Sequence, residues 1–247
     1  ADGRPFFPAG ATRRNSAWTT IEAKTSDGDS CYTAFIVDAR RRFANGWSIQ
    51  GSYTWSNSED TTQASTFFSD ATNGTTSAFP EFIPGYNRGP SDFNVRHNLV
   101  ANATWDLPFG RDLTGVSGAV LAGWQISAIA TYRSGYPLTV FIQNNRSRSL
   151  WQPSLGPGIG RDRPSYAPGF DAGNAVTGNP DQWFNPAAFV LQPAGLFGNV
   201  GRGDLEGPDL RTVDLAFVKQ VRPTGSSTLE LRIHGFWRED VKGPDGA

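Results

Sequence analysis

Methionine is missing altogether from this 247-residue sequence, even at position 1. A chain without an initiator is expected to be a fragment or a processed product rather than a whole reading frame. Cysteine occurs once, as Cys31, which excludes an intrachain disulfide and a cysteine-based metal site. The only histidines, His97 and His234, stand in no motif with a nucleophile or ligand set. Structural roles are expected for both, and no cofactor or metal is expected. An excess of charge of one sign is lacking too: Lys and Arg number 22 against 23 Asp and Glu, a net charge of −1. With no basic run interleaved with aromatics, nucleic acid is not an expected partner. Finally, there is no signal peptide and no run of about 18 apolar residues, which rules out a helical membrane span. A membrane barrel survives that test, because its strands need only about 9–11 residues of alternating pattern.

What the chain does hold is turn formers and aromatics. Its 28 Gly and 17 Pro fall mostly between alternating segments, and 8 Trp and 17 Phe are a heavy aromatic load for a mean hydropathy of −0.41. In WSIQGSYTWSNS the alternation is strict, with Trp47, Ile49, Gly51, Tyr53 and Trp55 on one side and Ser48, Gln50, Ser52, Thr54 and Ser56 on the other. That is the pattern of a strand with one apolar and one polar face. Cys31–Phe43 alternates likewise, with Phe35, Val37 and Ala39 opposite Asp38, Arg40 and Arg42. Ala44-Asn45-Gly46 is expected to form the hairpin turn between these two strands. Leu99, Ala101, Ala103, Trp105 and Leu107 share a face in the next strand, opposite Asn98, Asn102, Thr104 and Asp106. Trp124, Ile126, Ala128, Ala130 and Tyr132 do so in the one after, opposite Gln125, Ser127, Thr131 and Arg133. Residues 136–141 are expected to extend that strand past a bend. Strands around 211–220 and 228–234 close the chain, and 17–25 is a weaker candidate. No helical periodicity persists, so the fold class is all-β, with antiparallel up-and-down strands.

Strand reach separates two architectures. Trp47 to Trp55 spans about 26 Å at roughly 3.3 Å per residue. Tilted by about 35–45°, this gives roughly 20 Å of height, near the ~25 Å apolar band of an outer-membrane barrel. Trp47 and Trp55 bracket one strand, Trp124 and Tyr132 another, and Trp105 closes a third, as interfacial aromatic girdles require. Trp47, Ile49, Tyr53, Trp55, Leu99, Trp105, Trp124, Ile126 and Tyr132 are therefore the expected membrane-facing residues. Short connections at 44–46, 108 onward and 222–227 would lie at one end. The long stretches 57–91 and 142–209, expected to be irregular extracellular loops, would lie at the other. The alternative is a secreted, soluble β-sandwich binding carbohydrate or peptide through aromatic loops, though sandwich strands are usually shorter.

Few residues suggest chemistry. The SDGDS turn at 26–30 lacks the remaining ligands of a calcium loop, and GPGIG at 156–160 lacks the context of a nucleotide loop. Asp38, Arg40, Arg42, Glu230 and Arg232 are expected as cross-strand charge pairs on a wet inner face, not as catalytic pairs. The candidate ligand contacts are the loop aromatics Trp151, Trp183, Phe184 and Phe189, which either stack on a solute such as a sugar or pack the loop upon itself.

Several longer stretches carry a resemblance. ARRRFANGWSIQGSYTWSNS, NRGPSDFNVRHNLVANATWDLPFG, GWQISAIATYRSGYPLTV, WFNPAAF and FGNVGRGDLEGPDLRTVDLAFVKQ occur in that order. Together they resemble the C-terminal part of TonB-dependent outer-membrane receptors, in particular the Oar-like branch, from about Tyr32 to Ile233. The RGD tripeptide at Arg202–Asp204 belongs to one of these stretches and is better explained by it than as an adhesion motif. The resemblance implies a plugged barrel of about 22 strands in the bacterial outer membrane, energised by TonB. Residues 1–247 would then be part of the barrel domain, lacking the N-terminal plug region. Outer-membrane lipid, an unidentified solute, and the TonB complex acting through the missing plug would be its partners. Import would proceed by binding at the loops and plug rearrangement, with no enzymatic step. From about residue 235 the ending HGFWREDVKGPDGA departs from the family pattern, and the chain alone is expected to form an open, curled sheet.

Overall fold

The computed structural model describes residues 5–10, 12, 15–17, 28–61, 83, 85–142, 144–149, 162–224 and 227–239, with only the backbone of 222–224, 227, 228, 238 and 239. Six long strands dominate: β1 (Ser30–Ala44), β2 (Trp47–Asp60), β3 (His97–Asp106), β4 (Trp124–Arg133), β5 (Leu210–Thr224) and β6 (Ser227–Glu239). Each pairs antiparallel with its sequence neighbour, so one up-and-down sheet runs from β1 to β6 in chain order. Strands of 10 to 15 residues are long enough to cross a bilayer and about twice the length common in soluble domains. The sheet is not closed, as the expectation of an open sheet had it; β1 and β6 each present one edge with no strand partner among the described residues.

The alternation read from the sequence becomes a pair of faces once the register is known, because residues directly opposite each other share a face. One face carries the rows Val37–Tyr53–Leu99–Tyr132–Arg211, Ala39–Gly51–Ala101–Ala130–Val213–Trp237 and Trp47–Trp105–Ile126–Phe217–Ile233. The other carries Asp38–Ser52–Val100–Thr131–Thr212 and Arg40–Gln50–Asn102–Ile129–Asp214–Phe236. Every strand agrees with its neighbours on which side is apolar. A register slip of one residue anywhere would invert a whole strand.

Among the described residues nothing covers the apolar face. Ile49, Trp55, Leu99, Trp105, Leu215, Phe217 and Ile233 are all exposed. Among the described residues, six hydrophobic side chains are buried against thirteen polar or charged ones, the inverse of a globular core. A sandwich needs a second sheet packed on the apolar face; the described residues supply none.

The β1–β2 turn is tighter than expected. It uses two residues, Asn45 and Gly46, with φ of 55° and 84°, between the paired Ala44 and Trp47. This is the Asn-Gly signature of a two-residue hairpin. The register shifts between Arg41 and Ala44 take up the extra residue as an irregularity. The expected extension of β4 over 136–141 does not occur: Pro137–Leu138 leaves the sheet and pairs with Leu205–Glu206. Gly135 marks that departure, because a Cβ there would lie 1.8 Å from the Gly207 carbonyl oxygen. The weak strand at 17–25 lies outside the described residues from Trp18 onward.

Two further corrections concern the connections. The link after β3 contains a helix, α1 (Gly115–Leu121), which no periodicity announced because it is only two turns long. The region 142–209 is not irregular over its described part. Residues 162–209 form a folded unit with three short ladders: Ser165–Tyr166 with Phe189–Val190, Val176–Asn179 with Gln182–Phe184, and Leu205–Glu206 with Pro137–Leu138. Its core is Ala175, Ala188 and Leu205, packed against Val140, Tyr166, Phe170, Val176 and Phe189.

Candidate functional site

The loop unit is assembled by turn chemistry that the sequence spells out locally. In DAGN, the Asp171 carboxylate accepts from the Gly173 and Asn174 amides at 2.9 and 3.0 Å, and Asn174 Oδ1 accepts from the Asp171 amide. This capping box starts a single helical turn over Ala172–Ala175. In WFNPAAF, Asn185 caps a 3₁₀ turn by accepting from the Ala187 amide at 3.0 Å, with Pro186 at its first position. That turn directs Phe189 inward, where its ring meets Tyr166 at 5.7 Å and Phe184 at 6.2 Å. Trp183 is half-buried and donates its indole N–H to the Glu206 carbonyl at 2.8 Å. Phe184 stays exposed. Of the aromatics singled out from sequence, three thus gather in one unit, chiefly by packing it upon itself; Trp151 lies outside the described residues.

Two buried arginines fasten this unit to the end of the sheet. Arg202 is fully enclosed and forms an ion pair with Asp60, the last residue of β2. Its Nη2 also donates to the Asp60 and Gly89 carbonyls at 2.8 and 2.9 Å. Ser91 Oγ donates to the second Asp60 carboxylate oxygen at 2.5 Å. Arg163 donates to Asn87 Oδ1 at 2.8 Å and to the Tyr86 carbonyl at 2.5 Å, and its guanidinium lies 3.8 Å over the Tyr86 ring. Burial pushes the Arg163 pKa below the usual arginine value, with Tyr86 and Asp204 acting the other way. Burial likewise raises Asp162, against the opposing hydrogen bonds from the Ser147 amide and hydroxyl at 2.6 and 2.9 Å. The RGD tripeptide is therefore no displayed ligand: its arginine is a buried clamp. Sequence reading missed Arg163 and Arg202, because nothing in their neighbours marks a charge as buried.

Clamping the unit leaves two clefts on the polar side of the sheet's loop end. One, of about 430 Å³, is lined by Asn94, Arg96, Gly135, Asp204 and Glu206 among others. The second, of about 490 Å³, shares Asn94 and is lined by Tyr32, Thr54, Phe93, Asn98 and Arg133. Thr54, Asn98 and Arg133 are one row of the polar face. Tyr32 and Phe93 offer exposed rings beside these polar groups. Asp204 accepts from the Gly201 amide at 2.6 Å and the Tyr166 hydroxyl at 3.2 Å, and both Asp204 and burial push the Tyr166 pKa up, burial the more strongly. The two clefts can hold a polar solute against charges of both signs and two aromatic faces.

The remaining sequence candidates scatter. Tyr53 Oη and His97 Nδ1 are 2.8 Å apart, but on the apolar face and away from the clefts. Glu230 and Arg232 do pair, though along one strand rather than across two, and exposed. Asp38 and Arg40 lie on the polar face, in rows with Ser52 and Gln50. Asp29, from the acidic turn, pairs with Arg88 at 3.0 Å, and the described residues contain no group of three or more His, Cys, Asp or Glu able to hold a metal. GPGIG lies outside the described residues.

The expected membrane-facing residues fall together. Trp47, Ile49, Tyr53, Trp55, Leu99, Trp105, Trp124, Ile126 and Tyr132 all occupy the apolar face. Cations stand at its rims over aromatic rings: Arg41 lies 3.6 Å from the Trp47 centroid, Lys219 5.5 Å from Trp124 and Arg211 5.7 Å from Tyr132. Long strands, an uncovered apolar face with aromatic edges, and a polar reverse face define a sheet that spans a bilayer as part of a barrel. Comparison with protein families agrees: the outer membrane beta barrel domain matches residues 2–236, and the chain belongs to that family. Its place is the bacterial outer membrane, in contact with lipid. Searches of curated proteins and of solved structures returned no match.

Proposed function

We propose that the chain is the barrel portion of a TonB-dependent outer-membrane receptor of the Oar-like branch that imports a polar solute. The observation that carries this reading is the continuity of the polar face of the sheet with the two clefts at its loop end. A solute bound in the first cleft beside Arg96, Asp204 and Glu206 would pass by way of Asn94, which both clefts share, to the second, where Arg133 stands on the polar face. Phe184, whose ring is exposed on the loop unit, is the first contact we assign to it. The work is binding and release, with no covalent step; energy comes from TonB acting on a plug inside the closed barrel. Supporting this over a passive pore is the folded 162–209 unit, an ordered structure at the mouth where a simple diffusion channel needs only an opening.

The test is conductance of the full-length protein in planar bilayers. A plugged receptor gives no steady ion current, opens when the plug is deleted, and binds the periplasmic domain of TonB. Constant open-channel current with the protein intact would make it a passive porin instead.

A further inference from the structure

The connection from Leu107 to Gly123 is out of proportion to its neighbours at the same end of the sheet. β1 and β2 are joined there by two residues, and β5 and β6 by residues 225–226, whereas β3 and β4 are joined by a stretch that contains α1. Beside the exposed polar residues Arg111, Asp112, Thr114 and Ser117, this connection displays five large apolar side chains. Phe109, Leu113, Val116, Val120 and Leu121 are 46–82 % exposed, and no residue of α1 is buried. An isolated exposed leucine means little, but five such residues in one short connection mark a surface that lipid or another protein covers.

Two observations say which side of the sheet they occupy and what they meet there. The Trp124 indole donates to the Val120 carbonyl at 2.9 Å, and the Lys219 ammonium donates to the Ala122 carbonyl. Trp124 and Lys219 are opposed residues of the apolar face, so the C-terminal end of α1 is held on the lipid side of the sheet's rim, not over its polar side. These bonds also consume carbonyls that the last turn of a helix leaves without an intrahelical partner. Water would do that for an ordinary surface helix. Here two side chains of the lipid-facing sheet do it, which is the arrangement a segment needs where water is scarce. Lys219, only 7 % exposed, is thereby spent on anchoring.

We infer that the Pro108–Gly123 connection is an interfacial anchor, with Phe109, Leu113, Val116 and Val120 seated in the headgroup–acyl boundary of the leaflet at the short-turn end. Barrels place their short turns on the periplasmic side, so that leaflet is the phospholipid one. The apolar surface of the sheet continues into the helix past Trp105 and Trp124, and the occupant is the same lipid that covers the sheet. The anchor fixes how deep this sector of the barrel sits.

Depth-dependent quenching decides the question. In the full-length protein with Cys31→Ser, single cysteines at Val116, Val120, Asp112 and Ile49 carry a nitrobenzoxadiazole label in phosphatidylethanolamine–phosphatidylglycerol vesicles. Labels at Val116 and Val120 are expected to be quenched several-fold more by headgroup-proximal spin-labelled lipid than by aqueous iodide, with the opposite ratio at Asp112. Ile49 reports on the sheet itself and is expected to respond to deep spin labels. Iodide-dominated quenching at both Val116 and Val120, with Ile49 in lipid, would overturn the anchor and leave the patch to a protein partner. A Val116 label shielded from both quenchers would overturn it as well, because the helix would then be covered by protein.

Discussion

In the six-stranded sheet Ile49, Leu99, Trp105, Phe217 and Ile233 stand exposed, whereas in the unit at its loop end Asp162, Arg163, Gln192 and Arg202 are buried. The two regions are adjacent and share Asp60 through its ion pair, yet each inverts the usual rule of what goes inside. The sheet can expose its hydrophobics because its solvent is lipid. The core found in the loop unit is small, so its order depends on buried hydrogen bonds and an ion pair that tie loop to loop. One region is held by where it is; the other is held by what it is bonded to. Substitutions should therefore act by different rules on the two sides of Asp60.

The sharpest break in that comparison is Arg202→Ala. It strands the Asp60 carboxylate in a buried site, a change that costs about 3–5 kcal/mol when a buried pair loses one member. The 162–209 unit should lose protease protection in folded, lipid-embedded protein while the sheet stays intact; simultaneous loss of both would mean that the two regions are one cooperative unit. Next in size is the contrast between the faces. Ile49→Arg should destabilise by about 2–4 kcal/mol if it lies near the bilayer midplane, and its neighbour Gln50→Arg should cost little. Equal costs, measured by unfolding in lipid, would contradict a lipid-facing and a wet side.

A smaller effect is expected at the hairpin. Gly46 has φ of 84°, so Gly46→Ala places a Cβ in the left-handed region at a cost of about 1–2 kcal/mol. Unfolding in lipid should show that loss without any change at the loop end. The smallest effect is one of pH. Burial raises the Asp162 carboxyl, so the folded loop unit takes up its proton more readily than the unfolded chain does. The stability lost to burying that charge is regained as pH falls through the raised native value toward the ordinary carboxylate range. Protease protection of the loops, compared between wild type and Asp162→Asn, should show that slope in the wild type alone.

How much of this was legible in the sequence follows from the same contrast. The sheet was nearly transparent: period-2 alternation fixed both faces, and Trp47, Trp105 and Trp124 marked a rim, because lipid and water sort side chains strand by strand. The loop unit was opaque. Its capping signals, DAGN and NPAA, are short and common, and they act only over three or four residues. Arg163 and Arg202 look like any solvated arginine until Asn87, Tyr86, Asp60 and Gly89 are brought to them from distant parts of the chain. α1 was missed for a third reason: seven residues with two glycines and two valines show too few turns for a helical period to emerge, and its C-terminal end is held by Trp124 and Lys219, which follow it in the chain.

The distance along the chain from Asp60 to Arg202 has a consequence for the order of assembly. The two residues are 142 positions apart, and Arg163 reaches Asn87 across 76. Contacts of such separation form late, since the intervening chain must be gathered first. β3 and β4 lie between the partners in the chain, so the ion pair closes a loop that contains both strands. A strand that slipped by one residue would turn its apolar side inward and displace the Asp60 end from its partner. The clamp thus ties the register of the sheet to the order of the loop unit, and a chain in which β2 is out of register also loses the contact that fastens residues 162–209.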